Sequence, residues 1–362
     1  MNRKKKTTLT DIAELCGVSK ATVSRVMNQS ELVSDDVVRK VRAALQEHGY
    51  KRTQPKLKIP MPIRKILVLG EHDLNSPHSF FGSILKDLKQ QANDLDIAIE
   101  LQLRAQISHD NSAQLLTRAQ AIIVLGMDDS ELLTMLRATH LPVLLINGYD
   151  PMMQFSSVSP DYYLGGQLAA DYLFSLGHKN IKCITANIKP TVYQRADGFK
   201  RALLENGITQ PDEHIIDLAQ HIVAQTINDD EITQLGTDFG AHKWIPEMIS
   251  NGVFANCTAV FCICDMIAMT LIEAFRTQGI RVPDDISVLG FDDIDLAEFS
   301  TPPLTTIRTD HKRIAKVAIH TLIQAINDGG DTVTRSCVSV SLVSRQSCRQ
   351  YKNSFCTSTS PS

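Results

Sequence analysis

From residue 65 to about 291 the chain alternates between two textures. Short, continuously apolar runs occur at KILVLG (65–70), IAIELQL (97–103), AIIVLG (121–126), PVLLING (142–148), NIKCIT (180–185), AVFCIC (259–264) and ISVLGF (286–291). Between them lie stretches with apolar positions at helical spacing, 81–94, 130–139, 161–176, 193–206 and 265–278. A run that is apolar at every position suits a strand covered on both faces. Strands alternating with helices predict parallel sheets with helices on each side. Two half-domains of this kind fit residues 65–340. Ligands of such folds sit beyond the carboxyl ends of the strands. The stretch from Leu218 to Gly236 is polar and poorly patterned, and reads as a loop insertion.

The first fifty residues have a different pattern. Thr10 is placed to cap a helix beginning at Asp11, with Ile12, Ala13 and Leu15 on its buried side. Cys16-Gly17-Val18 predicts a tight turn in which Gly17 supplies the free backbone. Ser19 then caps a second helix, Lys20 to Met27, with Val23 and Val26 inward and Lys20, Ala21, Ser24 and Arg25 outward. A third helix runs from the cap Ser34 to about Glu47 on a stripe of Val37, Val38, Val41, Ala44 and Leu45, and Gly49 stops it. Two short helices joined by a glycine turn, with a supporting helix, form a helix-turn-helix module. Arg25 has the fork to read a guanine edge, and Ser19, Thr22 and Ser24 have hydroxyls for phosphates. Any amphipathic three-helix bundle shares this periodicity, so the pattern alone leaves DNA binding and plain packing both open.

Charge separates the two regions. At 362 residues the chain exceeds one typical domain, and its 43% hydrophobic content supplies a large core. The net charge of −3 hides an asymmetry: residues 1–64 carry 14 Lys and Arg against 6 Asp and Glu, which is +8, so the remainder carries −11. A basic front on an acidic body suits a polyanion-binding head and a body that avoids the polyanion. A solvated lysine cluster at Arg3 to Lys6 accounts for only half of that excess.

Other chemistry changes the picture little. The eight cysteines show neither staple nor zinc spacing. Cys262 and Cys264, in one apolar run, read as buried thiols of a reducing compartment, and no metal site is expected. No apolar run approaches the roughly 20 residues of a membrane span, so a soluble, cytoplasmic protein is expected. Phosphate-loop, dinucleotide and nucleophile-elbow motifs are missing, and the eleven histidines are scattered. No catalytic residue, cofactor or enzymatic activity is assigned.

The particular residues go further than their pattern. GVSKATVSRVMN (17–28), VSDDVVRKV (33–41) and HGY (48–50) closely resemble the headpiece of the LacI/GalR family of bacterial repressors. HKNI (178–181), RADGFKRAL (195–203), CDMIAM (264–269), GIRVPDDISVLGFDDI (279–294), PPLTTIR (302–308) and LVSRQS (342–347) are similar to that family's sugar-binding body. The resemblance implies an all-α helix-turn-helix headpiece (1–50), a hinge or linker (51–64) and a periplasmic-binding-protein-like α/β body (65–345) of two lobes with parallel sheets. The expected division is a first lobe at about 65–160 and 292–325, a second at about 161–291 and 326–345, and a polar, disordered tail at 346–362. That tail lacks leucine heptads, which favours a dimer over a coiled-coil tetramer.

It also implies roles for residues. DNA contacts are expected from Thr8, Ser19, Lys20, Ala21, Thr22, Ser24, Arg25, Asn28, Ser34, Tyr50 and Ile59, the last as a minor-groove wedge. Effector contacts are expected from Arg195, Asp265 and Asp292, with weaker matches at Thr191 and Thr309. Separately, Phe80 and Phe81 lie in the loop-to-helix turn after the first strand, where an aromatic can stack on a sugar face, with core packing the alternative for at least one of them. For Asp265 and Asp292 the plain alternatives are a helix cap and a turn residue; Asp161 reads equally as a cap, and His178 and Trp244 as packed residues. Several positions depart from the family. Lys20 and Ala21 stand where the operator is chosen, Leu32 replaces a polar contact, and Cys264 replaces the usual polar residue before Asp265. The linker KRTQPKLKIPMPIR (51–64) lacks the usual hinge pattern, and fits either a hinge helix or an extended basic strap. The expected protein is a homodimeric transcription repressor that binds operator DNA and is released by a sugar or sugar derivative. The alternative is a regulator that needs a purine-like corepressor, or an activator of the same architecture.

Overall fold

In the computed structural model the described residues are 9–27, 34–47, 63–71, 74, 79–104, 119–220, 237–330 and 332–351. The chain divides into two compact units, Met1–Lys58 and Ile59–Ser362. Among its described residues the first contains three helices, α1 (Leu9–Cys16), α2 (Lys20–Met27) and α3 (Asp35–Glu47). Ile12, Ala13, Cys16, Val23, Val26 and Val41 form its core, with Val37, Val38, Ala44 and Leu45 packed against them. Gly17 takes φ +65°, and its N–H and that of Val18 close onto Glu14 and Ala13. Two expectations fail here. Thr10 lies inside α1, not at its cap. Leu15 is 55% exposed and Cys16 is buried in its place. At roughly 100° per residue, 12, 13 and 16 cluster on one arc, and 15 falls off its edge.

The second unit is built from two six-stranded sheets. Its strands are β1 (Lys65–Gly70), β2 (Ala98–Leu103), β3 (Ala121–Leu125), β4 (Val143–Ile146), β5 (Ser156–Pro160), β6 (Ile181–Thr185), β7 (Ile215–Asp217), β8 (Ala259–Cys262), β9 (Ser287–Asp292), β10 (Thr305–Thr309), β11 (Arg335–Val338) and β12 (Val340–Val343). The helices are α4 (Phe80–Asn93), α5 (Ser130–Arg137), α6 (Tyr162–Ser175), α7 (Pro190–Glu205), α8 (Ala241–Ser250), α9 (Asp265–Thr277), α10 (Asp295–Phe299) and α11 (His311–Asn327). Lobe 1 has strand order β11-β5-β4-β3-β1-β2, with every pairing parallel. Lobe 2 has order β12-β10-β9-β8-β6-β7, parallel except for β10 with β12.

Each sheet is covered as its apolar runs require. In lobe 1, α5 buries Leu132, Leu133 and Leu136 against Leu67, Leu69, Ile122 and Val124. On α4, Ile84, Leu85 and Leu88 are buried, and this helix packs with α11, which lies over β4 and β5. In lobe 2, one core joins α6, α7, α8 and α9 to β6, β8 and β9. Helices α6 and α7 meet through glycines. A Cβ on Gly166 would fall 2.0 Å from the Arg195 carbonyl, and one on Gly198 would fall 1.9 Å from that of Tyr163.

The chain passes between the lobes three times, from β5 into α6, from β10 into α11, and from β11 into β12. The first and third passages are tied by Asp161 N–H donating to Val338 O at 2.8 Å. This moves the expected lobe boundaries. Residues 292–309 belong to lobe 2, because β10 pairs with β9 (Ile307 opposite Phe291). The 326–345 segment is shared, because β11 pairs with β5 in lobe 1 and only β12 joins lobe 2. The tail is also shorter than expected. Ser347 is fully buried; its hydroxyl donates to Val288 O and accepts from Thr305 N–H, and Tyr351 N–H reaches Leu176 O. Residues 352–362 lie outside the described residues, as do 51–62 of the linker and the 221–236 part of the expected insertion.

Candidate functional site

In the N-terminal unit, α2 begins where Ser19 predicts. Its Oγ accepts the Thr22 N–H at 3.0 Å and lies 2.8 Å from Thr22 Oγ1, so it serves as the cap. Ser19 and Lys20 are exposed and Thr22 is half-buried, at the start of α2. Ser34 is exposed, and its carbonyl accepts the Val38 N–H at the start of α3. Thr8, Asn28, Tyr50 and Ile59 lie outside the described residues, as do the side chains of Ala21, Ser24 and Arg25.

In the second unit the candidate residues gather where α7, β9 and the second passage between lobes converge. Arg195 comes from α7 and is 6% exposed. Its guanidinium lies over two rings, 4.2 Å from the Tyr162 centroid and 4.5 Å from that of Phe291. Nη1 donates to Ile263 O at 2.9 Å, Nη2 reaches Asp292 Oδ1 at 3.5 Å, and the buried Nε has no partner among the described residues. A guanidinium between aromatic faces keeps its in-plane edge for hydrogen bonds. Asp292 ends β9 with φ +111° and is 7% exposed. Burial pushes its carboxyl up to about 7, against the opposing pull of Arg195. Thr191 sits one turn before Arg195, and its buried hydroxyl also has no partner among the described residues. The Thr309 hydroxyl donates to the Asp292 carbonyl at 3.1 Å. Phe80 begins α4 on the lobe 1 side, edge-on to Phe81 and to His311.

Asp265 is the exception. Although it follows a strand end as expected, it is 1% exposed. Its Oδ1 accepts from Thr306 Oγ1 at 2.5 Å and its Oδ2 from Ile294 N–H at 2.9 Å. Gly290 has no side chain in the way: a Cβ there would fall 2.3 Å from Oδ1. Burial, with the nearby Asp292 charge, holds this carboxyl well above the usual range. Asp265 fastens α9 to the loop after β9 and to β10, with both oxygens engaged inside the lobe. Asp161 caps α6 through Leu164 N–H, Trp244 is buried in the lobe 2 core, and His178 bridges Thr258 and the Arg349 carbonyl.

Residue-type reasoning missed four parts of this site. Tyr162 follows the Asp161 cap, is buried, and donates its hydroxyl to Asn147 at the end of β4. Phe291 precedes Asp292 within an apolar strand and looks like core. Lys189, just before α7, donates from Nζ to Gly126 O across the lobes at 3.0 Å. His311 was one histidine of eleven. Only the adjacency of Tyr162 and Phe291 to singled-out carboxylates gave a signal.

A helix-turn-helix head in one unit and a two-lobed body with converging polar groups in the other define a DNA-binding transcription regulator. A family model described as bacterial regulatory proteins of the lacI family matches residues 8–53, and one described as a periplasmic binding protein-like domain matches 170–348. The ribose operon repressor of Haemophilus influenzae is 30% identical over 345 residues, which cover 94% of this chain and 98% of the relative. The transcriptional repressor PurR of Photobacterium profundum is 29% identical over 328 residues, 89% of this chain and 92% of its own. A solved lac repressor dimer bound to operator and the anti-inducer ONPF shares the fold with a TM-score of 0.63 at 24% identity, over 95% of this chain and all of that one. This chain belongs to the LacI family of bacterial regulatory proteins. Among the described residues no helix is long and apolar enough to cross a membrane.

Proposed function

We propose that this protein is a cytoplasmic, homodimeric repressor that a sugar or sugar derivative, bound between the lobes, releases from its operator. The observation that carries the sugar reading is Arg195. Its guanidinium is flanked by Tyr162 and Phe291 and faces Asp292, and its Nε, like the Thr191 hydroxyl one turn earlier on the same helix, has no partner among the described residues. Donors and an acceptor between aromatic faces match vicinal hydroxyls on a ring with an apolar face. A buried polar atom without a partner costs about 1–3 kcal/mol, so a ligand that satisfies it gains affinity. Arg195, Asp292, Thr191, Thr309 and Phe80 form the proposed contact set, and Asp265 is left out. On the DNA side, Thr8, Ser19, Lys20, Ala21, Thr22, Ser24, Arg25, Asn28, Ser34, Tyr50 and Ile59 form the proposed contact set, in a dimer matched to a pseudo-palindromic operator. The names of the H. influenzae relative and of the lac repressor dimer agree with this reading. The exposed Phe299 and Leu296 of α10 supply an apolar edge of the kind a second copy covers. Residues 51–64 carry the signal from body to head.

The test pairs binding with logic. D-ribose, D-glucose, cellobiose, hypoxanthine and guanine are screened by thermal shift, because a ligand of the folded state raises the melting temperature. Gel shifts with the protein's own upstream DNA then follow. A sugar that stabilises the protein and weakens the DNA complex supports the proposal. A purine that stabilises the protein and strengthens the complex replaces it with the corepressor reading.

A further inference from the structure

Thr309 and His311 flank the second passage between lobes, one ending β10 and the other opening α11. The Thr309 hydroxyl has a single proton, and it is given to the Asp292 carbonyl. In its 2.9 Å contact with His311 Nε2, the imidazole must therefore be the donor. That fixes the neutral ring as the Nε2–H tautomer, with a lone pair on Nδ1. The ring stands edge-on to Phe80, centroids 5.3 Å apart and planes at 80°. It is half-buried, and Nδ1 takes no hydrogen bond from the described residues. Asp87 of α4, Asp310 beside the ring, and Asp293 and Asp295 after β9 all favour the charged form; burial outweighs them and holds the ring below the usual histidine value.

We propose that His311 is an effector contact at which Nδ1 accepts a hydrogen bond from a ligand hydroxyl, while Nε2–H ties that contact through Thr309 to the backbone of Asp292. The inference rests on the cleft reading above and sharpens its ligand class. A sugar hydroxyl bound to Nδ1 and another bound to the Asp292 carboxylate together span α11 of lobe 1 and β9 of lobe 2. A phosphate or carboxylate brings only acceptors and gains nothing at Nδ1. The site therefore prefers neutral, hydroxyl-rich sugars to their phosphorylated forms.

The experiment is calorimetric titration of the full-length protein with the panel sugar that stabilises it most, D-ribose being tried first. H311F keeps a ring against Phe80 and removes both nitrogens. It is expected to weaken binding about tenfold, the worth of one hydrogen bond. H311N, whose amide oxygen falls near the Nδ1 position, should lose no more than about threefold; this second variant keeps the test open if H311F does not fold. Nitrogen NMR of the imidazole in the sugar-free protein should show Nδ1 unprotonated. Wild-type affinity in H311F, or a proton on Nδ1, overturns the proposal. D292N separates the levels. If it loses the sugar and H311F does not, His311 is no contact and the cleft reading stands. If both variants bind like wild type, or no panel sugar binds at all, the cleft reading falls and this proposal with it.

Discussion

Two buried aspartates at the ends of neighbouring strands do opposite jobs, and the difference is in their partners. Both Asp265 oxygens accept internal hydrogen bonds, so D265A strands the Ile294 N–H and the Thr306 hydroxyl in the core. A loss of about 2–4 kcal/mol is expected, measured as a lower urea midpoint; an unchanged midpoint would refute the fastening role. Asp292 has Arg195 at 3.5 Å and no other side-chain donor among the described residues, and burial pushes its carboxyl up to about 7. An unfolded aspartate titrates near 4. A folded-state value above the unfolded one stabilises the fold while the group is protonated. That contribution is complete below about pH 4 and is lost as pH rises through about 7. Sugar affinity moves the other way, since the ionised carboxylate is the better acceptor. Titrations between pH 6 and 8 should show tighter binding at the alkaline end. D292N should flatten both that profile and the fall in melting temperature. Nothing in the residue types distinguished these two aspartates. The donors Thr306 and Ile294 reach Asp265 from about 30 to 40 residues away, and only the folded chain brings them there.

At the scale of elements, the site depends on how closely α6 and α7 approach. Tyr162 opens the first and Arg195 projects from the second, and the two meet because Gly166 and Gly198 remove the side chains between them. G198A places a methyl group inside the Tyr163 carbonyl's radius. The helices must separate, at about 1–3 kcal/mol, and Arg195 moves with its backbone. A lower melting temperature together with weakened sugar binding is the expected pair of effects; loss of stability alone would mean that Arg195 is positioned independently of this crossing. The apolar strands and the helices between them were legible, because a strand buried on both faces must be written in continuous hydrophobics. β5 (SSVSP) and β10 (TTIRT) were not. Their buried serines and threonines bond to neighbouring backbone, as Thr305 Oγ1 does with Arg345 N–H, so burial left no apolar run. α11 carries a clear stripe, Ile314, Ala315, Ala318, Ile319, Leu322 and Ile323. That stripe has helical spacing and lies beyond the last continuously apolar strand. The lobe boundaries were illegible for a related reason, since pairing partners, not composition, assign β10 and β11 to opposite sheets.

For the whole molecule, the +8 charge of residues 1–64 against −11 for the rest is the controlling quantity. Operator affinity should fall steeply with salt, by about three orders of magnitude between 50 and 200 mM for six phosphate contacts. A drop below tenfold in fluorescence anisotropy titrations would contradict phosphate-dominated binding by the head. R25A should abolish specific binding in the same assay and leave calorimetric sugar affinity unchanged. Loss of both would make Arg25 a structural residue.

The three passages between lobes have a consequence for the order of manufacture. Neither sheet is complete until residues 335–343 exist, because β11 and β12, one residue apart, supply the outermost strand of each. During synthesis the head is finished when less than a fifth of the chain has been made, while both lobes must wait for its final stretch. A nascent chain therefore carries a completed DNA-binding module on a body that cannot yet respond to anything. Chains truncated after residue 330 should show the fault directly: protease-resistant at the N-terminal unit, with both lobes digested together and not one after the other.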